Sequence, residues 1–335
     1  MTTDIKVLKE LVAIRLDVNI WFARKKLTPS DFGTAGLPPE KIASLGSKRI
    51  CDPAELRIFG TIKSRAVSLL ESVGVRFLGG WAVPEAHIPY IQKGLQAIAG
   101  DFIKAKDDFL NRYDDAVREW INDNPGWESI ISNSVVNADY VRSRLGFSWQ
   151  MFRVVPPKQT RKADVEAGLN DEVKTLGSRL FGEIAKAAGT VWHKSYAGKT
   201  EVTRKALSPL KAIHTKLSGL SFVEPRVTPV LELLDTALRK VPDSGQITGA
   251  DLVMLQGLVC LLRDPEALIE HGQKMIEGRS PDAVLESLLR NPLPEISNIN
   301  EQSDEDTADD LPMEEPEPFI IQTDQVPQLN SLGLW

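Results

Sequence analysis

One stretch limits the possible folds of this sequence more than any other. From Ile88 onward, Ile88, Ile91, Leu95, Ile98, Phe102, Ala105 and Phe109 recur at spacings of 3-4-3-4-3-4. That alternation lays a single apolar seam along one side of a helix. After Phe109 the seam slips by one residue and continues through Tyr113, Val117 and Trp120. A helix of that length spans roughly 50 Å. A second stripe, Leu169, Val173, Leu176, Leu180, Ile184, Ala187 and Val191, predicts a helix of similar length over about 164–193. Two long helices of matched length are most simply arranged as an antiparallel hairpin.

Strand signals surround them. Val12, Ile14, Leu16, Val18 and Ile20 alternate with Ala13, Arg15, Asp17, Asn19 and Trp21, a period of two. Val75–Pro84 predicts a short strand kinked at Gly79-Gly80, and Phe147–Val155 a third strand stopped by Pro156-Pro157. Asp52-Pro53-Ala-Glu55 marks a helix start for a segment ending at Gly74. Shorter amphipathic helices follow at about 201–218, 227–240, 248–263, 265–277 and 281–290, with starts signalled by Asp264-Pro265 and Ser280-Pro281. The expected fold is α+β, mostly α. It comprises a long antiparallel coiled-coil hairpin, a small antiparallel sheet at its root and a C-terminal helical region. The expected divisions are 1–84, 85–198, 199–290 and a disordered acidic tail, 291–335.

Charge separates that tail from the rest. Eleven of the 46 acids and none of the 40 Lys and Arg residues lie after Arg290, so the tail carries −11 and the preceding 290 residues +5. High like charge with six prolines does not repay the entropy of ordering. The tail carries two apolar clusters, Phe319-Ile320-Ile321 and Leu329 through Leu332, Leu334 and Trp335. They suit docking on a partner or on the chain's own basic surface. The longest nearly apolar run, Leu252–Leu262, contains Gln256 and falls far short of the roughly 20 residues of a membrane span. The N-terminus has no signal-peptide pattern. A cytoplasmic protein is expected.

Catalytic signatures are sparse. Ala197-Gly198-Lys199-Thr200 imitates the end of a phosphate loop, but His193 stands where the earlier glycine belongs and the preceding segment is helix-like. Glu85 and His87 lack further ligands, and His193, His214 and His271 are scattered. Cys51 and Cys260 make no metal or disulfide pattern. Neither an enzyme, a cofactor nor a metal centre is expected. A nucleic-acid site is an alternative, because Arg142, Arg144, Arg153, Lys158, Arg161 and Lys162 surround Phe147, Trp149 and Phe152. Basic residues around stacking aromatics are how single strands are held, and the acidic tail would then be autoinhibitory. A third reading is self-association through the seam residues Ile91, Leu95, Ile98 and Phe102.

Several blocks together carry a family resemblance. They are Ile20-Trp21-Phe-Ala-Arg24-Lys25-Lys26-Leu27, Leu45 through Pro53, and above all Gly74-Val-Arg-Phe-Leu-Gly79-Gly80-Trp81-Ala-Val-Pro84. With Tyr140 through Arg144 and Phe147 through Pro157, the chain resembles the bacterial domain-of-unknown-function family 3150 over most of residues 10–270. The family name supplies no reaction. The resemblance implies a genomic setting on mobile elements or phage-conflict loci, beside a MoxR-type AAA ATPase and a von Willebrand factor A protein. It points to a non-enzymatic adaptor or substrate-recognition subunit of that remodelling system. Arg24, Lys25, Lys26 and the Gly79-Gly80-Trp81 turn are then candidates for the docking surface, together with the apolar clusters of the tail.

Overall fold

The alternation at the start of the sequence builds the central strand β1 (Leu11–Asn19) of a four-stranded antiparallel sheet. A computed structural model of the chain describes residues 7–31, 45–155 and 163–290. Strands β4 (Val75–Phe77), β5 (Gly80–Pro84) and β6 (Gly146–Phe152) complete the sheet in the order β4-β5-β1-β6. The register sets Ile14 opposite Trp81 on one side and opposite Met151 on the other. Two short ribbons stand apart from it. One pairs β2 (Arg24–Lys26) with β3 (Ser47–Arg49), the other β7 (Glu201–Val202) with β8 (Ile247–Thr248).

The segment predicted as one kinked strand is a hairpin of two. Leu78 and Gly79 take φ of 48° and 73°, and two consecutive positive φ values are what a tight two-residue turn between strands requires. A non-glycine residue at positive φ is uncommon, which is why Leu78 hid the turn. Gly80 has a separate reason to be glycine. A Cβ there would stand 2.3 Å from the Ile14 carbonyl oxygen, so β5 can approach β1 only without a side chain at that position.

Helices α1 (Arg57–Val73) and α2 (Ile88–Asn122) cover one face of the sheet. As expected, Asp52 caps the start, its carboxylate accepting from Ala54 N–H at 2.8 Å ahead of a short 3-10 turn. The seam on α2 is consumed within the chain. Ile91, Leu95, Ile98 and Phe102 are buried in one cluster with Phe59, Ile62, Ala66 and Leu70 of α1 and with Ile14, Trp81 and Val83 of the sheet. The two helices run antiparallel, bracketed by Arg65–Asp101 at 2.8 Å and Arg112–Glu55 at 2.9 Å. Short helices α3 (Glu128–Ser132) and α4 (Ala138–Arg144) pack along the second half of α2.

The expected hairpin of the two long helices therefore does not form. Helix α5 (Ala163–Val191) lies in a different core, where Val173, Leu176, Leu180, Phe181, Ile184 and Val191 meet Val75, Phe77 and Ala82 from the opposite face of the sheet. An apolar seam shows that a helix has a partner but not which one. The partner of α2 is the nearer α1. With its seam buried, self-association through Ile91, Leu95, Ile98 and Phe102 has no surface to use.

Helices α6 (Leu207–Gly219), α7 (Val227–Lys240), α8 (Gly249–Leu262), α9 (Pro265–Ile276) and α10 (Pro281–Arg290) complete this second core. The apolar run Leu252–Leu262 is explained by α8, which is surrounded by α5, α7, α9 and α10. Val284, Leu285 and Leu288 of α10 are buried in the same core. Asp264 caps α9 through Glu266 and Ala267 N–H, as its sequence signals, and Ser280 caps α10 through Ala283 N–H.

An ionic joint ties the two cores together. Lys216 on α6, 8% exposed, donates to the Glu71 carbonyl at the end of α1 and to Glu183 on α5, both at 2.7 Å. Glu183 in turn accepts from Arg76 N–H on β4 at 3.0 Å. The divisions expected at 84 and 198 fall inside one compact unit of the described residues, in which β6 joins β1. Residues 291–335, with Phe319, Ile320, Ile321, Leu332, Leu334 and Trp335, lie outside the described residues, as do Lys158, Arg161 and Lys162. Among the described residues, no helix is long and apolar enough to cross a membrane.

Candidate docking surface

The residues singled out in the sequence separate into three places. Arg24, Lys25 and Lys26 form β2 and face Arg49, Lys48 and Ser47 across the ribbon. Lys48 is matched by Asp31 at 2.5 Å, and that contact holds the Asp31 carboxyl below the usual range. Lys25, Lys26 and Arg49 point into solvent. The ribbon hangs on α2: Trp120 Nε1 donates to the Arg49 carbonyl at 3.2 Å, and Trp21 packs on Phe109 and Tyr113.

Arg142 and Arg144 belong to the same end. Their helix α4 is held to α2 by buried Val141, and Tyr113 Oη donates to the Val136 carbonyl just before it at 2.8 Å. Arg144 lies over Tyr140, 5.2 Å from the ring centre. Three aromatic rings on these segments are open to water: Phe22 at 54%, Trp127 at 55% and Tyr140 at 40%. Aromatic side chains are usually at least partly buried, and nothing local to Phe22 or Trp127 distinguishes them as exposed. Acids are interspersed, with Asp114, Asp115, Glu119, Asp123, Glu128 and Asp139 all exposed.

The other candidates lie elsewhere. Gly79, Gly80 and Trp81 shape the β4–β5 hairpin. Trp81 is buried beneath Arg76, whose guanidinium lies 4.0 Å from the ring centre. Beside this turn a small cleft of about 210 Å³ holds Arg179, which pairs with Glu172 at 2.7 and 3.2 Å and keeps that carboxyl below its ordinary pKa. Arg153 donates to Glu85 and to the Lys9 carbonyl, and Trp149 is half-buried edge-on to Phe147. The basic groove with free stacking rings imagined around Trp149 is therefore not assembled from Arg153 and Trp149.

Chemistry is equally dispersed. His214 Nε2 lies 2.8 Å from Asp235, His271 Nδ1 is 2.9 Å from the Ala267 carbonyl, and Glu85 is engaged by Arg153. Among the described residues, no three His, Cys, Asp or Glu side chains gather closely enough to hold a metal ion. Ala197–Thr200 follows a π-helical turn rather than a strand. Gln256 Nε2 donates to the carbonyl of Tyr196, which ends that turn, and to that of Lys199, at 3.1 Å each. Cys51 is fully buried, and burial first, then the nearby Glu55 charge, pushes its thiol up to about 11. That removes the thiolate a nucleophile needs at neutral pH.

The profile of a protein family of unknown function, DUF3150, matches residues 8–264. The chain belongs to that family. The DUF3150 match takes in both faces of the sheet and the whole surface on the second half of α2, and it ends at the α8–α9 junction. No curated protein and no solved structure matches the chain significantly.

Proposed function

We propose that this DUF3150 protein is a non-enzymatic adaptor that grips a protein partner with the surface on the second half of α2. The observation that supports it is the exposure of Phe22, Trp127 and Tyr140 among Lys25, Lys26, Arg49, Arg142 and Arg144. Aromatic and arginine side chains dominate the energetics of protein interfaces. Acids interspersed on the same segments favour a protein of mixed charge over a phosphate backbone. The family resemblance makes a AAA ATPase with a von Willebrand A-domain protein the first partner to test. Affinity purification from nuclease-treated lysate of the native host recovers both under this reading. The variant F22A/W127A/Y140A, at unchanged thermal stability, then loses them. Recovery of neither partner, or equal recovery by the variant, refutes it.

One feature favours a second reading, nucleic-acid binding. Lys25, Lys26 and Arg49 on the ribbon and Arg142 and Arg144 on α4 are exposed at the end of the molecule that also displays Phe22, Trp127 and Tyr140, and basic side chains among open rings are how single strands are held. Nucleic acid on this ribbon gives an affinity that falls steeply with salt and rises when the acidic residues after 293 are removed. No binding by the shortened protein at low salt excludes it.

A further inference from the structure

The two edges of the central sheet are treated differently. At the β4 edge the main chain is sealed by α5: Arg76 N–H donates to Glu183 at 3.0 Å, and the Arg76 carbonyl accepts from Arg179 at 3.4 Å. At the β6 edge, among the described residues, no strand pairs with the outer side of Gly146–Phe152, and no side chain hydrogen-bonds to its main chain. Seven residues of open edge are a template for another strand, and proteins ordinarily blunt such edges with charge, proline or a bulge. Gly-Phe-Ser-Trp-Gln-Met-Phe contains neither a charged residue nor proline.

The side chains point to what covers it. Phe147, Trp149 and Met151 face the α1–α2 layer and are only half-buried there, while Ser148, Gln150 and Phe152 on the other face are exposed. We propose that this edge joins two copies of the chain. The two β6 strands pair antiparallel about a two-fold axis at Trp149, making one eight-stranded sheet. In that register Trp149 meets its own copy, Phe147 meets Met151 of the second copy, and Ser148 meets Gln150 of the second copy. Strand residues of the same parity share a face, so the half-covered apolar rows become continuous. No like charges oppose, and Arg153 falls opposite Leu145 of the second copy. The pairing is isologous, as most homodimer interfaces are. It does not depend on the adaptor reading.

Sedimentation velocity over a concentration series, on the full-length protein, tests it. The wild type is expected to move from 37.1 kDa toward twice that mass. The variant S148K/Q150K places two Lys–Lys pairs across the axis and is expected to weaken association roughly tenfold or more. The variant S148K/Q150E replaces them with two Lys–Glu pairs and is expected to restore it. These positions lie on the exposed face away from α1 and α2, and circular dichroism confirms that each variant is folded. A wild type that stays monomeric at its highest soluble concentration overturns the proposal. So does a dimer indifferent to S148K/Q150K, or one that S148K/Q150E fails to restore.

Discussion

The sheet has an aromatic side and an aliphatic side. Under α1 and α2 the core is built from Trp21, Phe59, Phe102, Phe109 and Tyr113, with ring centres 5.1 to 6.3 Å apart in tilted and edge-on pairs. Around α5 to α10 it is almost wholly Leu, Val, Ile and Ala. Such ring pairs add directional energy beyond their buried area, and large rings reach further than Leu. Trp21 and Tyr113 use that reach to fix segments with little regular structure, the β2–β3 ribbon and the approach to α4. The candidate docking surface hangs on the aromatic side for that reason. The aliphatic side packs helices against helices and leaves fewer irregular segments to display.

The strongest way to break this contrast is to empty the aromatic side. Phe59 is fully buried against Phe102 and Phe109, so Phe59→Ala is expected to cost about 3–5 kcal/mol. Urea denaturation measures it. Loss of the near-ultraviolet aromatic dichroism before the helical signal would show the two sides melting separately. Next in size is the ionic joint. Glu183→Ala leaves the buried Lys216 ammonium with only the Glu71 carbonyl and no counter-charge, and the Arg76 N–H without its acceptor, for which about 3 kcal/mol is expected. A smaller cost, with the two sides now unfolding in separate steps, would mean the joint couples them rather than stabilising either.

Alkali probes the aromatic side through Cys51. The Cys51 thiol is held at about 11 against an ordinary value of 9.0. The unfolded chain therefore releases this proton first, and stability falls as pH rises from 9 toward 11. The loss attached to this residue is about 2–3 kcal/mol when complete. In Cys51→Ala the decline over that window is expected to be shallower, and thiol labelling of native protein at pH 7 should spare Cys51. Smallest is Gly79→Ala, about 1–2 kcal/mol from forcing a side chain into positive φ, seen as a drop in melting temperature of a few degrees.

How much of this could be read from residues alone follows the range of each interaction. Asp52, Asp264 and Ser280 announced their helices because a cap bonds to N–H groups two or three residues on. The strands at β1 and β6 were readable for the same reason, since period two is local. Partner choice was not. Nothing near Ile91 or Leu95 says that their seam meets Phe59 and Leu70 rather than the stripe on α5. Of the surface, Arg24–Lys26, Arg142 and Arg144 were visible as charge. Phe22, Trp127 and Tyr140 were not, because exposure is decided by what fails to pack on a ring. Trp149 shows the converse, a ring packed edge-on against Phe147 of its own strand.

The family match stops at residue 264, yet Val284, Leu285 and Leu288 of α10 are buried beyond it, with Leu288 Cβ 3.1 Å from the Cβ position that Gly257 lacks. The family match and the buried core of this chain are thus offset by about two helices. A fragment cut at the inherited boundary would bare one side of α8, its most oily helix, to solvent. The closing pair α9–α10 is the oily cover of α8, and it lies beyond the stretch that the family match spans.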